Sequence, residues 1–326
     1  MTWDNVSLII QTKLNRPHAP GDLVPRPELI ERLNRGRQRP LTLVTAPAGY
    51  GKSTLLSHWL DTMPNQPSAW LSLDKHEDDL FTFLTYFVAA MQTMFPRVGQ
   101  ETAALLSLTE DTPARVLLAT LINELNRIEE AFILVIDDYH TVQAADIQQF
   151  MAELVTHVPD SMHLALTSRS DPRLPVVQFR AKDQVTEIRA HDLRFSMAEA
   201  NAFLRQNWGE GLDDTVAKNI YERSEGWVTG LRLAVLSLRR FGEVETLEAL
   251  SQASDRSVID YLMTETLSNQ SEIIQEWLLK TAILERFCPT LCEAVCISMD
   301  DNLPEKLDGG SFIRHLTDNN LFVIPL

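Results

Sequence analysis

The residues best suited to chemistry lie in Ala48-Gly49-Tyr50-Gly51-Lys52-Ser53-Thr54. Glycines at this spacing let successive backbone N–H groups wrap a phosphate, and a helix starting beside them adds its partial positive end. Lys52 is then placed to reach the β and γ phosphates, and Ser53 to hold Mg²⁺. The run before it, Leu41-Thr42-Leu43-Val44-Thr45, is short and β-branched, and Leu55-Leu56-Ser57-His58-Trp59-Leu60 reads as helix. Strand, glycine turn, Gly-Lys-Ser and helix is the context this motif requires. Ala46 stands where a first glycine is usual, which costs little if its backbone angles are ordinary.

A phosphate loop needs a carboxylate at the end of a buried parallel strand. Phe132-Ile133-Leu134-Val135-Ile136 is continuously apolar, as a strand covered on both faces should be, and it ends in Asp137-Asp138. Asp137 is placed to hold Mg²⁺ through water, and Asp138 to position or deprotonate an attacking water. A further strand, Leu164-Ala165-Leu166-Thr167-Ser168, leads to Arg169. If that strand is inserted between the other two, Arg169 sits near the γ-phosphate as a sensor of nucleotide state.

These elements must be carried by a chain of 326 residues, enough for about two domains and a large core. Its 44% hydrophobic and 23% charged residues exclude a disordered or low-complexity polymer. With 29 basic against 45 acidic side chains, a net of -16, general binding to DNA or anionic membrane is disfavoured. The start of the chain, Met1-Thr2-Trp3-Asp4-Asn5, does not read as a signal peptide, and no apolar run approaches a membrane-spanning length. A soluble cytoplasmic protein is the expectation. Cys288, Cys292 and Cys296 recur every four residues, with no histidine at zinc-site spacing, and read as small core residues on one helical face.

Several segments together are more specific than the loop alone. They are Thr12-Lys13-Leu14, Leu23-Val24-Pro25-Arg26-Pro27, Thr45 to Ser53, Val135-Ile136-Asp137-Asp138-Tyr139-His140 and Thr167-Ser168-Arg169-Ser170-Asp171-Pro172. Asp192-Leu193-Arg194-Phe195-Ser196 and Glu225-Gly226-Trp227-Val228-Thr229-Gly230-Leu231 complete the set. Over nearly its whole length the chain resembles the N-terminal ATPase module of MalT-type regulators, the large ATP-binding LuxR-family transcription factors of the STAND class. The resemblance implies ATP/ADP and Mg²⁺ as ligands, with Val24, Pro25 and Arg26 cradling adenine. It implies an ADP-bound closed monomer, self-association when ATP and an inducer are bound, and hydrolysis as the reset. Where many members of the class carry Gly-x-Pro, this chain reads Gly230-Leu231-Arg232.

The expected fold is α/β: a P-loop NTPase parallel sheet with helices on both faces, then a helical domain and a partial winged-helix domain. The boundaries expected are 1–192, 193–256 and 257–326. Trp70 to Asp74 and Val185 to Ile188 read as further strands, and Leu80 to about Phe95 as a helix. Thr112 before Pro113 reads as the cap of a helix reaching about Arg127, and Ser196 with Glu199 as a capping box. Asp213 or Asp214 should cap the next helix, followed by helices over Gly226 to Leu238 and Ile273 to Leu284. The stretch Leu321-Phe322-Val323-Ile324-Pro325-Leu326 reads as a strand cut short, so a truncated chain is expected. The inducer would then act through regions outside this chain, and DNA would be reached only through a C-terminal helix-turn-helix absent here. The competing reading is a constitutive P-loop ATPase of the AAA-like remodelling type, which would need an arginine finger in trans and steady turnover.

Overall fold

The computed structural model describes residues 9–108, 112–209, 212–241, 270–284, 287–296 and 307–318. The segment from 242 to 269 and the final residues read above as a strand lie outside the described residues. The chain divides into two compact units. The first comprises 1–46 and 51–193, and the second comprises 47–50 and 194–326.

In the first unit, five parallel strands form one sheet: β1 (Leu41–Thr45), β2 (Ser68–Ser72), β3 (Phe132–Asp137), β4 (Met162–Ser168) and β5 (Val185–Arg189). Their spatial order is β2-β3-β4-β1-β5. The strand expected as an insertion, β4, does lie between the loop-bearing strand β1 and the carboxylate-bearing strand β3. Leu41 pairs with Leu164 and Thr45 with Ser168 on one side of it, and Leu134 with Leu164 on the other. β1, β3 and β4 are buried at every position, and β3 accordingly reads as an unbroken apolar run up to Asp137.

Around the sheet run α1 (Pro27–Gly36), α2 (Lys52–Asp61), α3 (Leu80–Met94), α4 (Gln100–Leu108), α5 (Ala114–Asn126), α6 (Ala145–Thr156), α7 (Val176–Ala181) and α8 (Ala190–Leu193). Leu41, Leu43, Leu134, Ile136, Leu164 and Leu166 share one core with Phe83, Phe87, Leu121, Phe150 and Leu154. The alternate residues Thr42 and His163 turn to the opposite face, where Thr42 bonds His163 and the His163 ring meets Trp59 edge-on at 5.8 Å. Trp59 in turn donates its indole N–H to Asn34, at 2.9 Å, so α1 and α2 are pinned together beside β1. One expected cap differs. The helix begins at Ala114 with Pro113 in the capping position and no side-chain cap, and the Thr112 hydroxyl lies 3.5 Å from the Leu105 carbonyl instead. Pro113 sits at φ -59°, the value its ring fixes, and has no backbone N–H of its own to satisfy there.

The second unit contains α9 (Met197–Trp208), α10 (Asp214–Ser224) and α11 (Val228–Phe241). Ser196 and Glu199 form the reciprocal capping box, and Asp213 caps α10. Three further helices, Glu272–Thr281, Pro289–Cys296 and Gly309–Asp318, pack Trp277, Phe312, Ile274 and Leu316 around Cys292 and Cys296. Cys288 departs from the expected buried face: it precedes its helix and is exposed.

His163 reports on the sheet core. Its Nδ1 donates to the Arg39 carbonyl at 2.7 Å, so its Nε2 accepts from the Thr42 hydroxyl at 3.0 Å, which fixes the neutral tautomer. Burial holds its pKa down at about 4. The unfolded chain therefore binds a proton near pH 6.5 that the native state refuses until about pH 4, and stability falls as pH drops through that window. The shift corresponds to about 3 kcal/mol. Urea denaturation from pH 7 to 4.5 should show this loss, with a shallower slope in His163→Gln.

Candidate functional site

Thr45, the last residue of β1, and Ala46 are buried, and the chain then turns through Pro47–Tyr50 into α2. Gly49 and Gly51 hold φ +76° and +80°, conformations that a side chain would strain. Ala46 is paired as a strand residue, its N–H donating to the Ser168 carbonyl, so glycine is not required there. Successive N–H groups in such a turn, opening onto a helix N-terminus, make an anion-binding concavity. Lys52, the first residue of α2, is 7% exposed and donates from Nζ to the Ala46 carbonyl at 2.8 Å. Burial, with the Arg169 charge adding to it, lowers its pKa to about 8 against the pull of Asp138 and Asp137. The ammonium is thus folded back over the loop, close enough to both carboxylates and Arg169 to feel their charge.

Asp137 closes the site from the tip of β3. Its Oδ1 accepts from Ser53 at 2.8 Å and from Thr167 at 2.5 Å. Burial raises its pKa, and the Asp138 charge adds to this, while the two hydroxyls and Lys52 oppose it. The adjacent Asp138 does not continue the strand. It turns left-handed at φ 57° and donates its N–H to the Thr167 hydroxyl at 2.9 Å. Thr167 therefore holds both carboxylate residues, accepting from one backbone and donating to the other side chain. In the sequence Thr167 stands only as the start of Thr167-Ser168-Arg169. Its role depends on β4 lying between β1 and β3, which no local pattern states.

His140 follows on the next turn. Burial, with Arg169 and Lys52 adding, presses its pKa down to about 3. Its Nδ1 is buried, has no hydrogen-bond partner among the described residues, and lies 3.7 Å from the Asp138 carboxylate. Of the residues assigned to adenine, Val24 is buried and Pro25 exposed. Arg26 donates to the carbonyls of Leu193 at 2.7 Å and Asp192 at 2.9 Å, so its guanidinium anchors the end of α8. The structure thus gathers Lys52, Ser53, Asp137, Asp138 and Arg169 at the strand tips, while Arg26 has structural work of its own.

The late motifs meet one another inside the second unit. Arg194 pairs with Glu225 at 3.2 Å, and the Phe195 N–H donates to the Gly226 carbonyl at 2.8 Å. Gly226 sits at φ +74°, and a Cβ there would strike the Phe195 backbone, so this close approach requires glycine. Beyond it, the Trp227 indole N–H donates to the Ala48 carbonyl at 3.1 Å, and the Thr229 hydroxyl donates to the Gly49 carbonyl at 3.0 Å. Where a Gly-x-Pro proline would stand, the Arg232 guanidinium lies 6.0 Å over the Phe203 ring.

Residues 28–167 match the AAA ATPase domain family and residues 263–326 the MalT winged helix domain family. The chain thus joins an AAA ATPase domain to a MalT winged helix domain and is similar to MalT-type regulators. It is 28% identical over 319 residues to the HTH-type transcriptional regulator MalT of Vibrio campbellii, covering 97% of this chain and 34% of that protein. It is 32% identical to the serine/threonine-protein kinase PknK of Mycobacterium tuberculosis, covering 93% of this chain and 28% of that protein. The chain therefore spans about a third of the relatives it matches. In fold it resembles a Walker-type ATPase of Pyrococcus abyssi, with a TM-score of 0.63, 15% identity, and coverage of 94% of this chain and 92% of that one. A STAND protein with a tetratricopeptide repeat sensor from Pyrococcus horikoshii gives a TM-score of 0.53 at 14% identity, covering 83% of this chain and 36% of that one. The parallel sheet with its inserted strand accords with that fold likeness, and no helix among the described residues is long and apolar enough to cross a membrane.

The double role of Thr167 gives a direct expectation. Thr167→Val keeps the shape but leaves the Asp138 N–H unpaired and takes one donor from buried Asp137. A loss of about 1–3 kcal/mol should follow in urea denaturation, with Thr167→Ser close to the parent.

Proposed function

We propose that this chain is the nucleotide-driven regulatory switch of a larger signal-responsive transcription regulator. Its resting state holds ADP, its ATP-bound state is competent to self-associate, and slow hydrolysis resets it. The observation that carries the nucleotide reading is the Ser53–Asp137 bond beside buried Lys52, at the mouth of a loop with two left-handed glycines. The switch reading is supported by the company the module keeps. Relatives named as transcriptional regulators and as a protein kinase share this segment, as expected of a control unit joined to different outputs. Inducer and DNA would be met by regions outside this chain.

Bound Mg-ATP would supply a phosphoanhydride whose terminal phosphate can pass to water. The residues divide the remaining work. Lys52, held over the loop, neutralises phosphate charge. Ser53 donates its proton to Asp137, which leaves its oxygen lone pairs free for a cation. Asp137, already accepting two hydroxyl protons, is left to meet that cation through water. Asp138, half-exposed on its turn beside His140, is the base that orients or deprotonates the attacking water. Neutral His140 adds no positive charge that would hold that carboxylate back. Arg169, one residue past β4, senses the terminal phosphate.

Lys52→Ala should weaken ADP binding about tenfold to more than a hundredfold, since charged hydrogen bonds contribute roughly 1.5–3 kcal/mol. Titration with a fluorescent nucleotide measures this, and unchanged affinity would overturn the phosphate-loop assignment. The pH dependence has a definite sign. With Lys52 titrating near 8 in the free protein and higher beside phosphate, affinity is level below that pH and declines above it. The limiting slope is about tenfold per unit, and it should vanish in Lys52→Ala. Asp138→Asn should bind Mg-nucleotide nearly as well as the parent yet hydrolyse ATP about a hundredfold more slowly. Purified protein carrying ADP with turnover well below once per second would support the switch. Steady turnover without retained nucleotide would favour a constitutive remodelling ATPase.

A further inference from the structure

Two side chains outside the phosphate-binding motif hold its backbone. Pro47–Tyr50 belong to the same compact unit as α11, and the residues that begin that helix grip the turn through its carbonyls. The Trp227 indole N–H donates to the Ala48 carbonyl at 3.1 Å. The Gly49 carbonyl accepts twice from Thr229, from its N–H at 3.2 Å and from its hydroxyl at 3.0 Å.

A trans peptide is planar, and its C=O and N–H point in opposite directions. The Ala48 carbonyl shares its plane with the Gly49 N–H, and the Gly49 carbonyl shares its plane with the Tyr50 N–H. Fixing those two oxygens on one side therefore fixes the two N–H groups on the other. We propose that Trp227 and Thr229 are positioning residues for the nucleotide's phosphates: they turn the Ala48 and Gly49 carbonyls outward and so aim the Gly49 and Tyr50 N–H groups into the loop. This rests on the nucleotide-binding reading above.

The surroundings fit that task. Gly49 lacks the Cβ that would collide with Thr229 and Trp227, so the close approach needs glycine at this position as well as its φ of +76°. A Cβ on Gly230 would press into the Trp227 ring, so that ring lies directly on the α11 backbone. Gly226, bonded to Phe195, sets where the segment starts. Trp227 is thereby fixed before any ligand arrives, and so are the carbonyls it holds. A loop with its donors already aimed loses less on binding than one that must reorganise.

The test uses the whole chain, with ADP, pyrophosphate and adenosine as probes in competition against a fluorescent nucleotide. Trp227→Phe and Thr229→Val each remove one neutral hydrogen bond and should weaken ADP about two- to tenfold. The double variant should lose more than either. Pyrophosphate should weaken by the same factor as ADP and adenosine should not change, because only the phosphates meet these N–H groups. Thr229→Ser, which keeps the hydroxyl, should restore binding. In the nucleotide-free protein, ¹⁵N-labelled Gly49 and Tyr50 amides should exchange faster with solvent in the variants. Parental ADP affinity in the double variant, with Lys52→Ala loosened, would overturn this proposal and leave the nucleotide reading intact. Parental affinity in Lys52→Ala as well would remove the reading itself. An equal loss for adenosine would also overturn the proposal, since it would mark a general defect of the fold.

Discussion

The site depends on one buried carboxylate. Asp137 is 5% exposed at the tip of β3, and an anion there is unfavourable unless it is paired or hydrogen-bonded. Ser53 and Thr167 supply that compensation, one from the start of α2 and the other from the end of β4. Lys52 brings positive charge to the same point. In the proposed reading, the hydroxyl that steadies Asp137 is also the one that would meet a cation, so holding the fold together and preparing for Mg-nucleotide would be the same arrangement. The opposed shifts of Lys52 and Asp137 share this origin: burial disfavours each charge, and each partly relieves the other.

The inserted strand makes this possible. With β4 between β1 and β3, Thr167 reaches the Asp137 side chain and the Asp138 backbone together, and Arg169, the residue after β4, acts on Lys52 by its charge. Asp138 can then leave the strand in a left-handed turn with its N–H satisfied. The two neighbouring acids thus come to differ. One is buried and held by hydroxyls, and the other is half-exposed with an imidazole beside it.

The second unit uses the same economy of backbone. Glu225 and Gly226 both take left-handed angles, and that tight turn brings Phe195 against Gly226 and starts α11 where Trp227 and Thr229 reach carbonyl oxygens. Arg194 and Phe195 therefore meet Glu225 and Gly226 as one interlocked turn. Arg232, where a proline is common in the class, is occupied over Phe203.

The sequence alone determined what depends on neighbours along the chain. The glycine turn before Lys52-Ser53, the apolar run ending in Asp137-Asp138, the Ser196–Glu199 capping box and the cap at Asp213 are local patterns, and each appears as read. Local reading failed at Thr112, where a proline took over the helix start, and at Cys288, which lies before the helix whose face it seemed to share. Only the tertiary structure decided that Thr167 joins both acids, that His140 Nδ1 is buried with no hydrogen-bond partner among the described residues, that Arg26 anchors α8, and that Trp227 and Thr229 grip the turn before Lys52. Those contacts join residues dozens to nearly two hundred positions apart. They are set by strand order and by the close approach that glycine permits, and neither leaves a periodicity along the chain.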